Sequence, residues 1–201
     1  MKNKSCLFVF ALSLLLLGSI SCSSNKPRID DEVAVLDTTY GRIVIEFAVN
    51  VAPKHVDNFK TLVRQGFYDH TKFFRIIKIK NKLVGVQGGD PNTINGAPAT
   101  WGQGQPGQKT VPAEFSKLKH ERGIVSAFHK PNDPNSATSQ FFICVAAEPS
   151  FDGQFSIFGR VIDGMSVVDT IARAPVDAQG ERPTDPVVVN QIHIVKRDEV
   201  K

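Results

Sequence analysis

The chain has 201 residues and a mass of 22.0 kDa, with 41% hydrophobic and 22% charged residues. That is room for one domain or at most two small ones, and a charge content near the globular average argues against wholesale disorder. Three Cys cannot make a disulfide-dense scaffold, and a formal charge of +4 is no electrostatic footprint for nucleic acid.

The first residues read as an address. Lys2 and Lys4 precede an apolar run at 7–17, which ends in Gly18-Ser19-Ile20-Ser21-Cys22. A basic start, about ten apolar residues and then small residues form a secretory signal. The run is shorter than the roughly 20 residues a comfortable membrane span needs, so an uncleaved anchor is the weaker alternative. Small residues directly before a Cys resemble the lipobox of bacterial lipoproteins, with Ser19 where Leu is usual. The resemblance implies cleavage before Cys22, lipidation of Cys22 and a domain anchored to a membrane in the periplasm or cell envelope. Simple cleavage or an inert Cys22 are the other readings. The organisation is then a signal peptide at 1–21, a polar tether at 22–32 and one domain at 33–201. Loss of Lys2 and Lys4 with the leader takes the formal charge from +4 to +2. Lys78, Lys80 and Lys82 alternate without interleaved aromatics and read as a solvated face, so no nucleic-acid partner is expected.

The mature chain reads mostly as strands. Segments 33–37 and 42–47 form a hairpin that turns at Gly41, with Ile43, Ile45 and Phe47 on one face. A helix follows at 53–65: Pro53 sits at its start, Gly66 after its end, and Val56, Phe59, Leu62 and Val63 make one apolar stripe. Further strands are expected at 73–77, 83–87, 123–128, 140–145, 156–162 and 187–195. A short second helix after Gly164 would use Val167, Val168 and Ile171. About eight strands separated by Gly and Pro suggest an all-β sandwich or barrel.

Conventional catalytic chemistry is scarce. Gly102-Gln103-Gly104-Gln105-Pro106-Gly107 fits a GxGxxG pattern, but it follows a loop, and Pro106 and Pro112 bar a regular helix after it. A glycine-rich turn is the better reading, and no cofactor is expected. His55, His70, His120, His129 and His193 are scattered without metal-ligand spacing. Cys144, in an apolar stretch, reads as a small core residue. Arg75 lies within Phe73-Phe74-Arg75-Ile76-Ile77, where a cation is costly unless paired. Alone, it reads as an ion-pair partner or as a site residue.

Several short segments carry a more specific signal together. They are Gly66-Phe67-Tyr68-Asp69, Phe73-Phe74-Arg75-Ile76-Ile77, Gln87-Gly88-Gly89-Asp90-Pro91, Val111-Pro112-Ala113-Glu114-Phe115, Ser139-Gln140-Phe141-Phe142-Ile143 and Asp152-Gly153-Gln154. In this order they resemble the cyclophilin family of peptidyl-prolyl cis–trans isomerases, over about residues 35–195. The resemblance implies a closed eight-stranded antiparallel β-barrel capped by two α-helices. It implies an enzyme that accelerates X–Pro rotation and assists folding of exported proteins. A proline-peptide binding module or chaperone with little turnover is the alternative. Arg75, Gln87 and Phe142 take the catalytic positions, with Arg75 as donor to the prolyl nitrogen and Phe142 in the proline pocket. Gln140, Val84, Phe128, His129, Phe151 and Phe155 are the substrate-binding positions.

Departures from the family pattern gather around that pocket. About four extra residues separate Arg75 from Gln87. Val84-Gly85 stands where Phe-Met or a similar pair is usual. His129 is either a groove residue or an ordinary surface His. Phe155 replaces a His or Tyr at the rim, Phe151 replaces a Leu, and Ser150 replaces the Trp linked to cyclosporin binding in animal members. Weak cyclosporin sensitivity is therefore expected. As partners the reading names proline-containing peptides, unfolded exported proteins and the membrane reached through the lipid; it expects a monomer and no metal.

Overall fold

The computed structural model describes residues 27–200; the expected signal peptide and Cys22 lie outside the described residues. Eight strands run in the order expected. They are β1 (Ile29–Thr38), β2 (Gly41–Ala48), β3 (Arg75–Ile79), β4 (Lys82–Gly88), β5 (Ile124–Ala127), β6 (Phe141–Cys144), β7 (Ser156–Asp163) and β8 (Val189–Lys196). They form one antiparallel sheet with spatial order β3-β4-β6-β5-β7-β2-β1-β8. The expected closed barrel is not continuous as a ladder, because β3 and β8 are its two edges. Between those edges runs an isolated antiparallel bridge, Lys72 to Val188. Beside it, His70 N–H donates to Val189 O at 2.8 Å and Phe73 N–H to Val187 O at 3.0 Å. Residues 70–73 leave regular strand geometry here, so main-chain pairing reaches the start of β8 without a continuous ladder.

β1 begins at Ile29, so residues 29–32 of the expected tether belong to the sheet. Their acidic side chains are not simply solvated: Asp30 and Glu32 both pair with Lys60, and Arg64 pairs with Glu32 at 3.2 Å. The β1–β2 loop is Thr39-Tyr40, and Gly41 follows with φ +126°, a conformation that favours glycine.

Helix α1 (Pro53–Arg64) buries Val56, Phe59 and Val63, with Leu62 partly covered. Phe59 fixes it to the inner face of the sheet. Its ring centroid lies 5.6 Å from Phe141, 5.4 Å from Phe158, 5.0 Å from Tyr68 and 6.0 Å from Phe47. Ala52, at the N-cap position, offers no side-chain acceptor. Glu114 supplies one from 60 residues away, accepting from Lys54 N–H at 3.2 Å and His55 N–H at 3.1 Å. A carboxylate at a helix N-terminus also meets the positive end of the helix dipole. Helix α2 (Asn92–Asn95) is a single turn in a stretch expected to be loop. Helix α3 (Met165–Ala172) starts after Gly164, at φ +84°; a Cβ there would lie 2.8 Å from Ile43 Cα. Among the described residues no helix is long and apolar enough to cross a membrane.

Candidate active site

Four adjacent strands set the site by register. Arg75 on β3 faces Gln87 on β4, Gln87 faces Phe142 on β6, and Phe142 faces Ser126 on β5. Directly paired residues project from the same face of a sheet, so these four form one transverse row. The next residues along β6 point the other way. Phe141 and Ile143 enter the main core, whereas Phe142 and Cys144 join a second cluster with Ile77 and Val84. β6 is buried on both faces, which is why its sequence is an unbroken apolar run. Burial pushes the Cys144 thiol up to about 12, as fits an inert core residue.

A chain of amides fixes the middle of the row. Gln140 Nε2 donates to Gly102 O at 3.1 Å, and Gln87 Nε2 donates to Gln140 Oε1 at 2.9 Å. These two bonds assign the amide orientations and leave Gln87 Oε1 a buried acceptor without a partner. Asp90, fully buried, gathers the glycine-rich loop by accepting from the N–H groups of Asn92, Gly102 and Gly104. The Gly102–Gly107 stretch is accordingly a turn-rich loop with no helix after it. It carries Gly102 O to Gln140.

Arg75 lies at the mouth of the row, with its side chain 36% exposed. Its Nε donates to Glu181 Oε2 at 2.9 Å and its Nη2 to Glu181 Oε1 at 3.4 Å. Arg75, Gln87, Phe74, Trp101, Phe128 and Glu181 line an open cleft of about 510 Å³. Arg75 is thus both an ion-pair partner and a cleft residue.

The apolar floor differs from the expected one. Phe142 is 1% exposed. Phe151 and Phe155 pack on it edge-on, with centroids at 5.4 and 5.1 Å, and on each other at 5.2 Å. Val84 is also fully buried, so neither Val84 nor Phe142 presents surface to a ligand here. Phe128, Phe151 and Phe155 are partly exposed and cover this cluster. The physical reason lies in the rim residues: two Phe rings in place of smaller or polar-tipped groups gain more by stacking on Phe142 than by facing water.

Comparison with known proteins identifies the family. The model of the cyclophilin-type peptidyl-prolyl cis–trans isomerases matches residues 33–194. The chain belongs to that family. A Gibberella zeae protein named peptidyl-prolyl cis-trans isomerase-like 1 is 36% identical over 171 residues, covering 82% of this chain and 96% of its own. A Brucella abortus protein named probable peptidyl-prolyl cis-trans isomerase is 34% identical, with 85% of each chain covered. A crystal structure of a Cryptosporidium parvum cyclophilin, obtained in the presence of the dipeptide Ala-Pro, superposes with a TM-score of 0.69 at 30% identity. It covers 82% of this chain and 99% of the parasite protein.

In this cyclophilin His129 is more than a surface residue. Its ring stacks on Phe155 at 4.7 Å, with Nδ1 2.9 Å from Lys130 O and Nε2 2.8 Å from Gln154 O. A neutral imidazole donates from only one nitrogen, so one carbonyl contact is a hydrogen bond at a time unless the ring is protonated. His129 therefore braces the rim. Three features of the surroundings escaped the sequence. Trp101 and Glu181 wall the cleft, although one lies in a glycine-rich loop and the other in an unstructured-looking segment. His120 lies behind Phe142, stacked at 6.1 Å, with Nε2 3.0 Å from Ser126 Oγ and Nδ1 3.3 Å from Asp152 Oδ1. That trio has the composition of a hydrolytic triad, but Ser126 is fully buried and no substrate reaches its Oγ. Its role is to hold Phe142 from below. No sequence spacing could have flagged Glu181 or the trio, since His120 precedes β5, Ser126 lies on it and Asp152 sits in a later turn.

Proposed function

We propose that this cyclophilin accelerates cis–trans rotation of X–Pro bonds in exported proteins, held at a membrane through a lipid on Cys22. The observation that carries the catalytic part is the register that sets Arg75 directly opposite Gln87 at an open cleft. Residues 70–73 and 187–189 are read as the seam of the family's closed barrel.

The chemistry needs little machinery. The two planar forms of an X–Pro bond differ by less than about 1 kcal/mol, but amide resonance separates them by about 18–20 kcal/mol. Twisting the bond localises a lone pair on the prolyl nitrogen. A guanidinium that donates to that nitrogen stabilises the twisted state and neither planar one, which is what acceleration requires. A 10⁴-fold gain needs only about 5.5 kcal/mol of differential stabilisation. Arg75 is the donor in this reading. Gln87, bonded to Gln140, holds the middle of the row beside Arg75, and Phe128 and Phe151 meet the proline ring.

A second reading rests on one observation, the 1% exposure of Phe142 beneath its two Phe neighbours. A site whose floor is covered binds proline segments at its rim and turns them over slowly. Exchange of a proline tetrapeptide, followed by NMR with and without the purified domain, separates the two. We expect acceleration that Arg75→Ala removes at least about 100-fold while the fold stays intact, the loss typical of a missing charge-stabilising donor. Binding without acceleration favours the module. For the location, Cys22→Ala should turn a membrane-fractionating protein into a soluble exported one; unchanged fractionation would sink the lipid anchor.

A further inference from the structure

The cleft's acidic wall is built with more care than a surface ion pair requires. Residues 176–183, between α3 and β8, form a small hairpin. Val176 bridges to Pro183, Asp177 N–H donates to Arg182 O at 2.8 Å, and Gly180 N–H donates to Asp177 O at 2.8 Å. The Asp177 carboxylate accepts from Glu181 N–H at 3.4 Å and Arg182 N–H at 3.3 Å. The hairpin docks on the free edge of β3 through one main-chain bond, from Ile76 N–H to Glu181 O at 2.6 Å. Next along the chain, Arg182 lies over the Trp101 ring at 5.5 Å, and Lys72 lies over the same ring at 5.2 Å. Trp101 is itself tied by Nε1–H to Gly96 O at 3.0 Å. Glu181 is thus fixed at its main chain beside Ile76 while its carboxylate grips the neighbouring residue, Arg75.

We infer that Glu181 is the positioning residue for Arg75, and this rests on the isomerase reading above. A long, partly exposed arginine samples many rotamers and spends most of its time hydrogen-bonded to water. A developing lone pair on nitrogen needs a donor already aimed, because small misplacements at a reacting centre cost large factors in rate. Glu181 takes Nε–H and one hydrogen of Nη2 in a side-on pair. Three of the five guanidinium N–H groups are left for the cleft. An exposed ion pair between two free side chains loses most of its attraction to ordering. Here the Glu181 main chain is pre-ordered by the Ile76 bond and by the Arg182–Trp101 contact, so the pair has only side-chain torsions left to order. The pair also lowers the net charge at the cleft. Direction outweighs charge in this reaction, since the nitrogen lone pair is neutral and accepts a hydrogen bond rather than a counter-ion.

The test compares the purified domain with Glu181→Gln and Glu181→Ala in a proline-tetrapeptide isomerisation assay. Glu181 stands at the surface, so folding of both variants is checked by thermal unfolding alone. We expect kcat to fall about 3-fold in Glu181→Gln and about 10-fold in Glu181→Ala, with KM unchanged within about 2-fold, as for a misaligned donor. The wild type should lose activity towards the Glu181→Ala level when salt rises to about 1 M, where the screening length is near 3 Å, while Glu181→Ala shows no such fall. The ¹⁵Nε–¹Hε signal of Arg75 should be sharp in the wild type and exchange-broadened in Glu181→Ala. Equal kcat in all three proteins overturns the assignment, and so does a rise in kcat, which would make the carboxylate a competitor for the guanidinium. A wild type that fails to accelerate exchange overturns the isomerase reading first and this one with it; an active wild type with indifferent variants overturns this one alone.

Discussion

At the scale of single residues, the site turns on which aromatic ring a proline can reach. Phe142 stands in the row with Arg75 and Gln87, yet it is sealed by Phe151 and Phe155. The Phe excess of the chain, 14 against 2 Tyr and 1 Trp, is concentrated here and in the core around Phe59. If the floor opens only when Phe155 swings aside, every binding event carries the cost of that minor state, and apparent affinity falls by the fraction open. Phe155→Ala removes the cover. We expect KM for proline peptides to fall about 3- to 10-fold, as for a pre-opened site, at a cost of about 1–3 kcal/mol for truncating a half-buried ring. Steady-state kinetics and thermal unfolding read the two effects. A higher KM would instead make Phe155 the surface on which the ring sits. The sequence identified all of these residues as a cluster through the family resemblance, but not that they would close on one another. Closure depends on side-chain volume at three positions that are separated by up to 13 residues along the chain, and no local pattern encodes it.

At the scale of elements, the strands were legible because each alternates or runs apolar between Gly and Pro breaks, and all eight stand within a few residues of their expected places. Helix α1 was legible from Pro53 and its apolar stripe. What it lacked was visible only in space: its N-terminus has no local cap, and Glu114 reaches it from the Val111-Pro112-Ala113-Glu114-Phe115 segment. His55 Nδ1 lies 2.8 Å from the same carboxylate and ties the cap further. Glu114→Ala should therefore cost about 1–2 kcal/mol, the upper range for a lost cap, and lower the melting temperature by roughly 2–8 °C. Isomerase activity should stay near the wild-type level, because α1 packs on the face opposite the cleft. An unchanged melting temperature would assign that carboxylate no capping role. Segment 173–186 falls between the expected helix and the expected last strand for a different reason. Its fold comes from Gly180, Asp177 and a docking bond to β3, and none of these produces a hydrophobic period.

At the scale of the whole molecule, one sheet separates a main core from a smaller cluster behind the cleft, and a buried histidine sits beside each. His55 touches Glu114 at the start of α1, and His120 touches Asp152 behind Phe142. Burial pushes both rings below their ordinary value of 6.5, against the pull of those carboxylates. The sign follows from proton counting. Between the lowered folded values and 6.5 the unfolded chain binds protons that the folded one does not, so stability rises with pH across that window. The contribution is fully present above about pH 6.5 and is lost progressively as pH falls below it. Carboxylates act lower down. The hydrogen bond from Lys60 holds Glu32 below its ordinary 4.5, Arg122 holds Asp169 below 3.8, and the His120 main-chain N–H does the same for Asp152. Their stabilisation is present above those ordinary values and disappears as pH falls through the lowered ones. The melting temperature should therefore be flat from about pH 8 to 7, decline from about 6.5, and decline again below about 4.5. His120→Asn should lower the whole curve and flatten its first descent, since one of the two rings that resist protonation is gone. A first descent of equal depth in that variant, measured by calorimetry across the range, would place the acid sensitivity elsewhere in the molecule.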